Sequence, residues 1–130
     1  MRWKNKYKAK RATVGAIGFH SKAEAGLYVR LSGLQNLGII KELQTQQQVT
    51  LTDAKIIYKP DFTFIHVKTG ALIHGEFKGL ETPEWRIKKK LYVNYGPAPL
   101  IIWKMKGKKL FVDEIIMREC YDIAAFEDLF

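Results

Sequence analysis

At 130 residues the chain is about one domain long, enough to bury roughly two-thirds of its unfolded surface. An apolar content of 47% with three Trp, six Tyr and seven Phe excludes a disordered or collagen-like chain, and the one cysteine excludes an internal disulfide. No apolar run approaches the ~18 residues of a membrane span, while Lys and Arg outnumber Asp and Glu by 22 to 13, a net charge of +9, which favours a polyanionic partner.

Residues 1–12 read as a basic arm. Arg2, Lys4, Lys6, Lys8, Lys10 and Arg11 carry its positive charge, with no acid among them. Such an arm either neutralises phosphates and releases counterions or is a solvated terminus, and the net charge favours the first. No apolar stretch follows, so no signal peptide is expected. With a lone Cys120, the expected location is the cytoplasm. Residues 13–130 show no repeat, linker or composition shift and read as one domain.

Ser21-Lys22-Ala23-Glu24 has the form of a capping box, in which Ser21 accepts from the Glu24 amide and Glu24 reaches back to Ser21. The helix it opens carries Leu27, Leu31 and Leu34 on one stripe and should stop at Gly38. Gln46–Leu51 alternates as a strand. Ile56–Val67 and Ala71–Lys78 read as two strands joined by a tight turn around Lys68-Thr69-Gly70. Thr82-Pro83 starts a second helix that runs to about Tyr95 and is halted by Gly96-Pro97. Leu100–Trp103 is apolar throughout, as a strand buried on both faces should be. A turn at Lys106-Gly107, a brief strand at Leu110–Val112 and a last helix from Asp113 to about Ala125 complete the order. A helix between the third and fourth strands requires a crossover, so the expected fold is α/β: a central mixed sheet of four to five strands with flanking helices.

The hairpin holds the chemistry. A two-residue turn at Thr69-Gly70 pairs Asp61 with Lys78 and Thr63 with Glu76. Side chains alternate along a strand, so Asp61, Thr63, His74, Glu76 and Lys78 share one face, and Phe62, Phe64, Ile73 and Phe77 share the other. A four-residue turn keeps this facing, whereas a three-residue turn flips one strand. Two adjacent carboxylates repel when both are ionised, and a hard divalent cation relieves that repulsion. Lys78 beside them can orient or deprotonate a water, or offset charge developing on a phosphodiester. The plainer alternative is an ordinary cross-strand acid–lysine pair. Glu24 shares a helix side with Leu27, Tyr28 and Leu31, so it faces the sheet, either as the capping acid alone or as a third acid at the same site.

Tyr58-Lys59-Pro60-Asp61-Phe62 followed by Glu76-Phe77-Lys78-Gly79 resembles the bipartite motif of PD-(D/E)xK nucleases, and Phe19-His20-Ser21-Lys22-Ala23-Glu24 resembles the helix bearing the early acid of that superfamily. From about Lys6 to Trp103 the chain resembles small phage nucleases of this fold, and the same motif order occurs in phage and archaeal Holliday junction resolvases. Gly26 departs from the pattern, where a polar residue is usual. The resemblance implies a restriction-endonuclease-like αβββαβ core and an Mg²⁺- or Mn²⁺-dependent endonuclease acting on DNA, branched DNA foremost. It implies Glu24, Asp61 and Glu76 with the Phe77 carbonyl as metal ligands, and Lys78 as catalytic base or charge stabiliser. Cutting two symmetric strands would require a homodimer. If the gene is a phage's, the cytoplasm is the host's.

Gln46 falls where relatives in that phage group place a glutamine, or is a plain polar strand residue. His74 is expected to support the site or be exposed rather than bind metal, and His20 and His66 are assigned no role. Lys88, Lys89 and Lys90 offer a basic helix face to phosphates, or to solvent, and Trp85 is expected to pack rather than stack on a base. The rivals to this reading are a nicking or transposon-end-type endonuclease of the same fold, and a catalytically silent DNA-binding protein.

Overall fold

The structure is a computed structural model that describes residues 12–15, 17–19, 21–118 and 121–130. A small hairpin of β1 (Ala12–Val14) and β2 (Ile17–Phe19) precedes helix α1 (Lys22–Asn36) and strand β3 (Ile40–Thr45). A second small hairpin pairs β4 (Val49–Thr50) with β5 (Ile57–Tyr58). Then come β6 (Phe62–His66), β7 (Leu72–Phe77), helix α2 (Pro83–Tyr95), β8 (Leu100–Lys106), β9 (Lys109–Ile116) and a 3-10 helix, Ile123–Leu129. The central sheet has five strands in the order β3–β6–β7–β8–β9. Only β7 and β8 run parallel, and α2 is the crossover that a parallel pair demands. The fold is therefore mixed α/β. Among the described residues no helix is long and apolar enough to cross a membrane.

Local signals explain both helices. Ser21, in extended conformation, caps α1 by accepting from the Glu24 amide at 3.1 Å. The helix ends where Gly38 turns left-handed (φ +78°), with Ile39 N–H on the Leu34 carbonyl and Gly38 N–H on that of Gln35, the paired closure that glycine permits. Gly26 is exposed and leaves α1 unbroken. Thr82 caps α2 at the Trp85 amide, 3.1 Å away, with Pro83 in the first turn. At its other end Gly96 cannot carry a Cβ, which would lie 2.4 Å from the Tyr92 ring.

The sheet divides the core. Leu27 and Leu31 of α1 pack on the face bearing Phe62, Phe64, Ile73, Ile101 and Trp103. Trp85 and Tyr92 of α2 pack on the opposite face with Tyr58, Leu100 and Ile102. Leu100–Trp103 is buried on both sides, as its apolar run predicts. Gly75 leaves room for Trp103, whose ring would stand 2.9 Å from an added Cβ. The 3-10 helix seals the far end of the β6–β7 hairpin. There His66, fully buried, has Nδ1 2.8 Å from Thr69 Oγ1 and Nε2 2.7 Å from Asp128 Oδ1, with Phe126 against its ring.

Four expectations are corrected. The strand expected over Gln46–Leu51 shrinks to Val49–Thr50, and the edge strand is Ile40–Thr45. Its alternation is broken by a register shift around Glu42, which is left-handed (φ +55°). The strand expected over Ile56–Val67 is interrupted before Asp61. No helix begins at Asp113: β9 runs through it, because residues 109–116 pair with β8 along its whole length. Finally, the turn has four residues, closed by Gly70 N–H on the His66 carbonyl and His66 N–H on that of Ala71. The register consequently differs by two from the two-residue case: Thr63 faces His74, not Glu76, and Phe62 faces Gly75. A shift of two preserves the facing.

Candidate active site

The ladder register sets Asp61 opposite Glu76, and there each carboxylate accepts from a main-chain N–H of the facing strand segment. Phe77 N–H donates to Asp61 Oδ2 at 2.9 Å, and Asp61 N–H donates to Glu76 Oε2 at 3.1 Å. Both carboxylates are thereby fixed at the open end of the hairpin. Glu76 Oε2 also accepts from Tyr58 Oη at 2.7 Å, and its Oε1 lies 3.3 Å from Lys78 Nζ. Lys78, just past β7, is anchored by its N–H on the Trp103 carbonyl, and its ammonium sits 4.3 Å above the Trp85 ring. Gln46 reaches Asp61 twice, by its N–H to the Asp61 carbonyl at 3.2 Å and by Nε2 to Oδ1 at 3.3 Å. It does so from a left-handed backbone (φ +56°), a conformation costing a non-glycine roughly 1–2 kcal/mol.

Burial and like charge dominate the electrostatics. Glu76, 5% exposed, is pushed up to about 7 by desolvation first and then by the charge of Asp61, against the pull of Lys78 and Tyr58. Asp61 is likewise raised, by desolvation and then by the charge of Glu24, while the Phe77 amide, Lys78 and Gln46 act downward. Tyr58 is held well above the ordinary phenol range by burial and by the Glu76 carboxylate. Its hydroxyl therefore donates to Glu76 throughout the physiological range.

Of the residues anticipated from sequence, Asp61, Glu76 and Lys78 converge. Glu24 is buried at the start of α1 and is felt electrostatically by Asp61. Even so, among the described residues no three His, Cys, Asp or Glu side chains stand in metal-holding spacing. The carboxylate oxygens of Asp61 and Glu76 are instead taken up by the donors of Phe77, Gln46, Asp61, Tyr58 and Lys78. The Phe77 peptide is beside the pair through its N–H. His74 is on the expected face but buried under α2, its Nδ1 2.8 Å from Thr63 Oγ1, and desolvation lowers it to about 4. His66 belongs to the far end of the hairpin.

The basic residues separate. Lys88 lines a cleft of about 500 Å³ with Lys59, Tyr58, Glu76, Lys78 and Trp85. Lys89 turns away to an ion pair with Glu114 of β9, and Lys90 is exposed. Lys4, Lys6, Lys8, Lys10 and Arg11 lie outside the described residues, as do His20 and Cys120. Sequence reasoning missed Tyr58, Lys59 and the perch of Lys78 on Trp85. The signal for Tyr58 was its place three residues before Asp61, but its bond to Glu76 spans eighteen residues and leaves no local trace.

A family model described as a protein of unknown function (DUF1064) matches residues 4–111, and the chain belongs to that family. No curated protein and no solved structure matches it.

Proposed function

We propose that this DUF1064 protein is a PD-(D/E)xK nuclease, a metal-dependent endodeoxyribonuclease that hydrolyses phosphodiester bonds, with branched DNA such as a four-way junction as its substrate. One observation carries the reading: a half-buried Asp61 and a buried Glu76 held face to face, with the Lys78 ammonium 3.3 Å from Glu76. A merely structural pair would be expected to match acid with base, since burying two like charges costs several kcal/mol per ion without compensation. The order α1, β3, β6, β7, α2, β8 supports a restriction-endonuclease-like core, with the β4–β5 hairpin as an addition outside it.

The donor set suits a hard cation. It consists of carboxylate oxygens whose ionisation is opposed by burial and mutual repulsion, both of which a divalent ion relieves. Asp61, Glu76 and the Phe77 carbonyl would hold it, with Glu24 as the adjoining acid. Mg²⁺ or Mn²⁺ bound there supplies an acidified water and charge neutralisation at the phosphate. The chain's own groups do the rest. Tyr58 and the Asp61 amide hold Glu76 Oε2, which leaves Oε1 toward Lys78. Lys78, fixed by Trp85 and by its backbone bond to β8, offers a positioned charge to the phosphate or a proton acceptor to the attacking water. Lys59 and Lys88 give the cleft wall its affinity for the flanking phosphates, joined by Lys90 and the arm residues Lys4, Lys6, Lys8, Lys10 and Arg11. Cutting two strands symmetrically calls for two such sites, hence a homodimer.

The test is a cleavage assay on supercoiled, linear, single-stranded and four-way-junction DNA with Mg²⁺, Mn²⁺ or chelator. Cation-dependent cleavage with the junction preferred is the expected result. Binding without cleavage under every cation overturns the enzyme reading.

A further inference from the structure

Beside the charged cleft lies a second depression of about 430 Å³ with a different character. Its lining includes Gln44, Gln47, Gln48, Thr63, His74 and Pro97, and among the lining residues there is no carboxylate, lysine or arginine. The sheet register relates the two. Gln44 pairs with Thr63, and Thr63 with His74, so these three form one row across β3, β6 and β7. Gln46, Asp61 and Glu76 form the next row, two residues along each strand, about 6.6 Å away at ~3.3 Å per residue. Gln48 lines both depressions.

We infer that the neutral depression receives an unpaired nucleobase of the DNA strand whose phosphate occupies the charged row. The inference rests on the nuclease reading and names what that site selects. Primary amides offer donor and acceptor together, the pattern that matches a base edge. Leu72 and Pro97 supply apolar surface for the flat ring, and the absence of charge leaves nothing for a phosphate. The volume lies within the range of roughly 300–1,000 Å³ usual for small-molecule sites. A ligand that is anionic at one step and neutral, flat and hydrogen-bonding at the next is a nucleotide. A base still paired in a duplex has its edge engaged and its faces stacked, so the depression selects strands with bases free, as at a junction or gap.

The test uses the full chain in chelator, so that binding is read without cleavage. Two probes serve, a matched duplex and the same duplex with one unpaired 2-aminopurine, followed by anisotropy and by the fluorescence of that base. The wild type should bind the unpaired probe roughly tenfold more tightly, the scale of one good amide–base contact. Gln44→Ala/Gln47→Ala, both exposed positions outside the charged cleft, should lose that preference and keep its affinity for the matched duplex. Equal binding of both probes by the wild type overturns the inference while leaving DNA binding intact. So does a variant that loses both probes equally, or one that keeps the preference. Failure of the wild type to bind either probe overturns the nucleic-acid reading as well.

Discussion

The two ends of the β6–β7 hairpin bury polar groups in opposite ways. At the turn end, His66 is fully buried with each ring nitrogen matched, Nδ1 to Thr69 and Nε2 to Asp128. At the open end, a half-buried Asp61 faces the buried Glu76, with the buried Glu24 near enough to add to the repulsion on Asp61. Each oxygen there has a donor, yet the charges do not balance. A complementary buried pair holds structure together, since breaking it strands a partner. A like-charged pair works against folding and persists where something else uses it. The first end is a fastener, and the second has the unbalanced charge expected of the proposed site.

Substitutions should separate the two ends cleanly. The largest effect is expected from Asp61→Asn or Glu76→Gln. Each should reduce cleavage by roughly a thousandfold or more, as loss of a metal-holding group implies, with DNA binding retained. Each should also stabilise the metal-free protein by about 1–3 kcal/mol at neutral pH, because a buried repulsion is removed. Paired cleavage assays and thermal melts would show activity and stability moving in opposite directions. A variant that cleaves normally would end the site assignment.

At the other end, His66→Ala should cost about 2–4 kcal/mol, through a cavity beneath Phe126 and the loss of two hydrogen bonds. Denaturant melts would record it, while cleavage per folded molecule at low temperature should be unchanged. Lys78→Ala should lower turnover by roughly a hundredfold, about 2.7 kcal/mol, with cation affinity preserved because an ammonium offers no lone pair. Calorimetric titration with Mn²⁺ beside single-turnover kinetics would test both halves.

The smallest effect is on pH dependence. Glu76 has its folded value raised to about 7 and Asp61 is shifted the same way. Their protonated forms therefore favour folding at low pH, and that contribution fades as pH rises from about 4 through about 7. His74 acts in the opposite sense. Its folded value is lowered to about 4, so its contribution is present above about 6.5 and is lost as pH falls toward 4. In chelator the melting temperature should decline from about pH 7 to 8, above most of the His74 titration, and excess Mg²⁺ should flatten the decline. A flat profile in chelator would show that the acids are not opposed in the folded state.

How much of this was legible in the sequence depended on whether the deciding interaction was local. Both helix caps, the stop at Gly38 and the shared facing of Asp61, His74, Glu76 and Lys78 follow from neighbours a few residues apart or from strand alternation, and they hold. The register did not, because four loop residues and two leave the same alternation and differ only in partners. The run from Asp113 reads as a last helix, and only pairing with β8 makes it strand. Strand β3 was hidden by the irregularity at Glu42. Tyr58 and Gln46 act on carboxylates fifteen or more residues away.

The ammonium of Lys78 over Trp85 also makes the cleft visible to light. Indole emission responds to charge held over its ring, so an anion that draws Lys78 aside changes the spectrum of a tryptophan in the cleft wall. Trp103, fully enclosed beneath Gly75, is shielded from the same event and serves as an internal reference. With Trp3 replaced by Phe, the protein would carry its own optical gauge of occupancy, with no label attached.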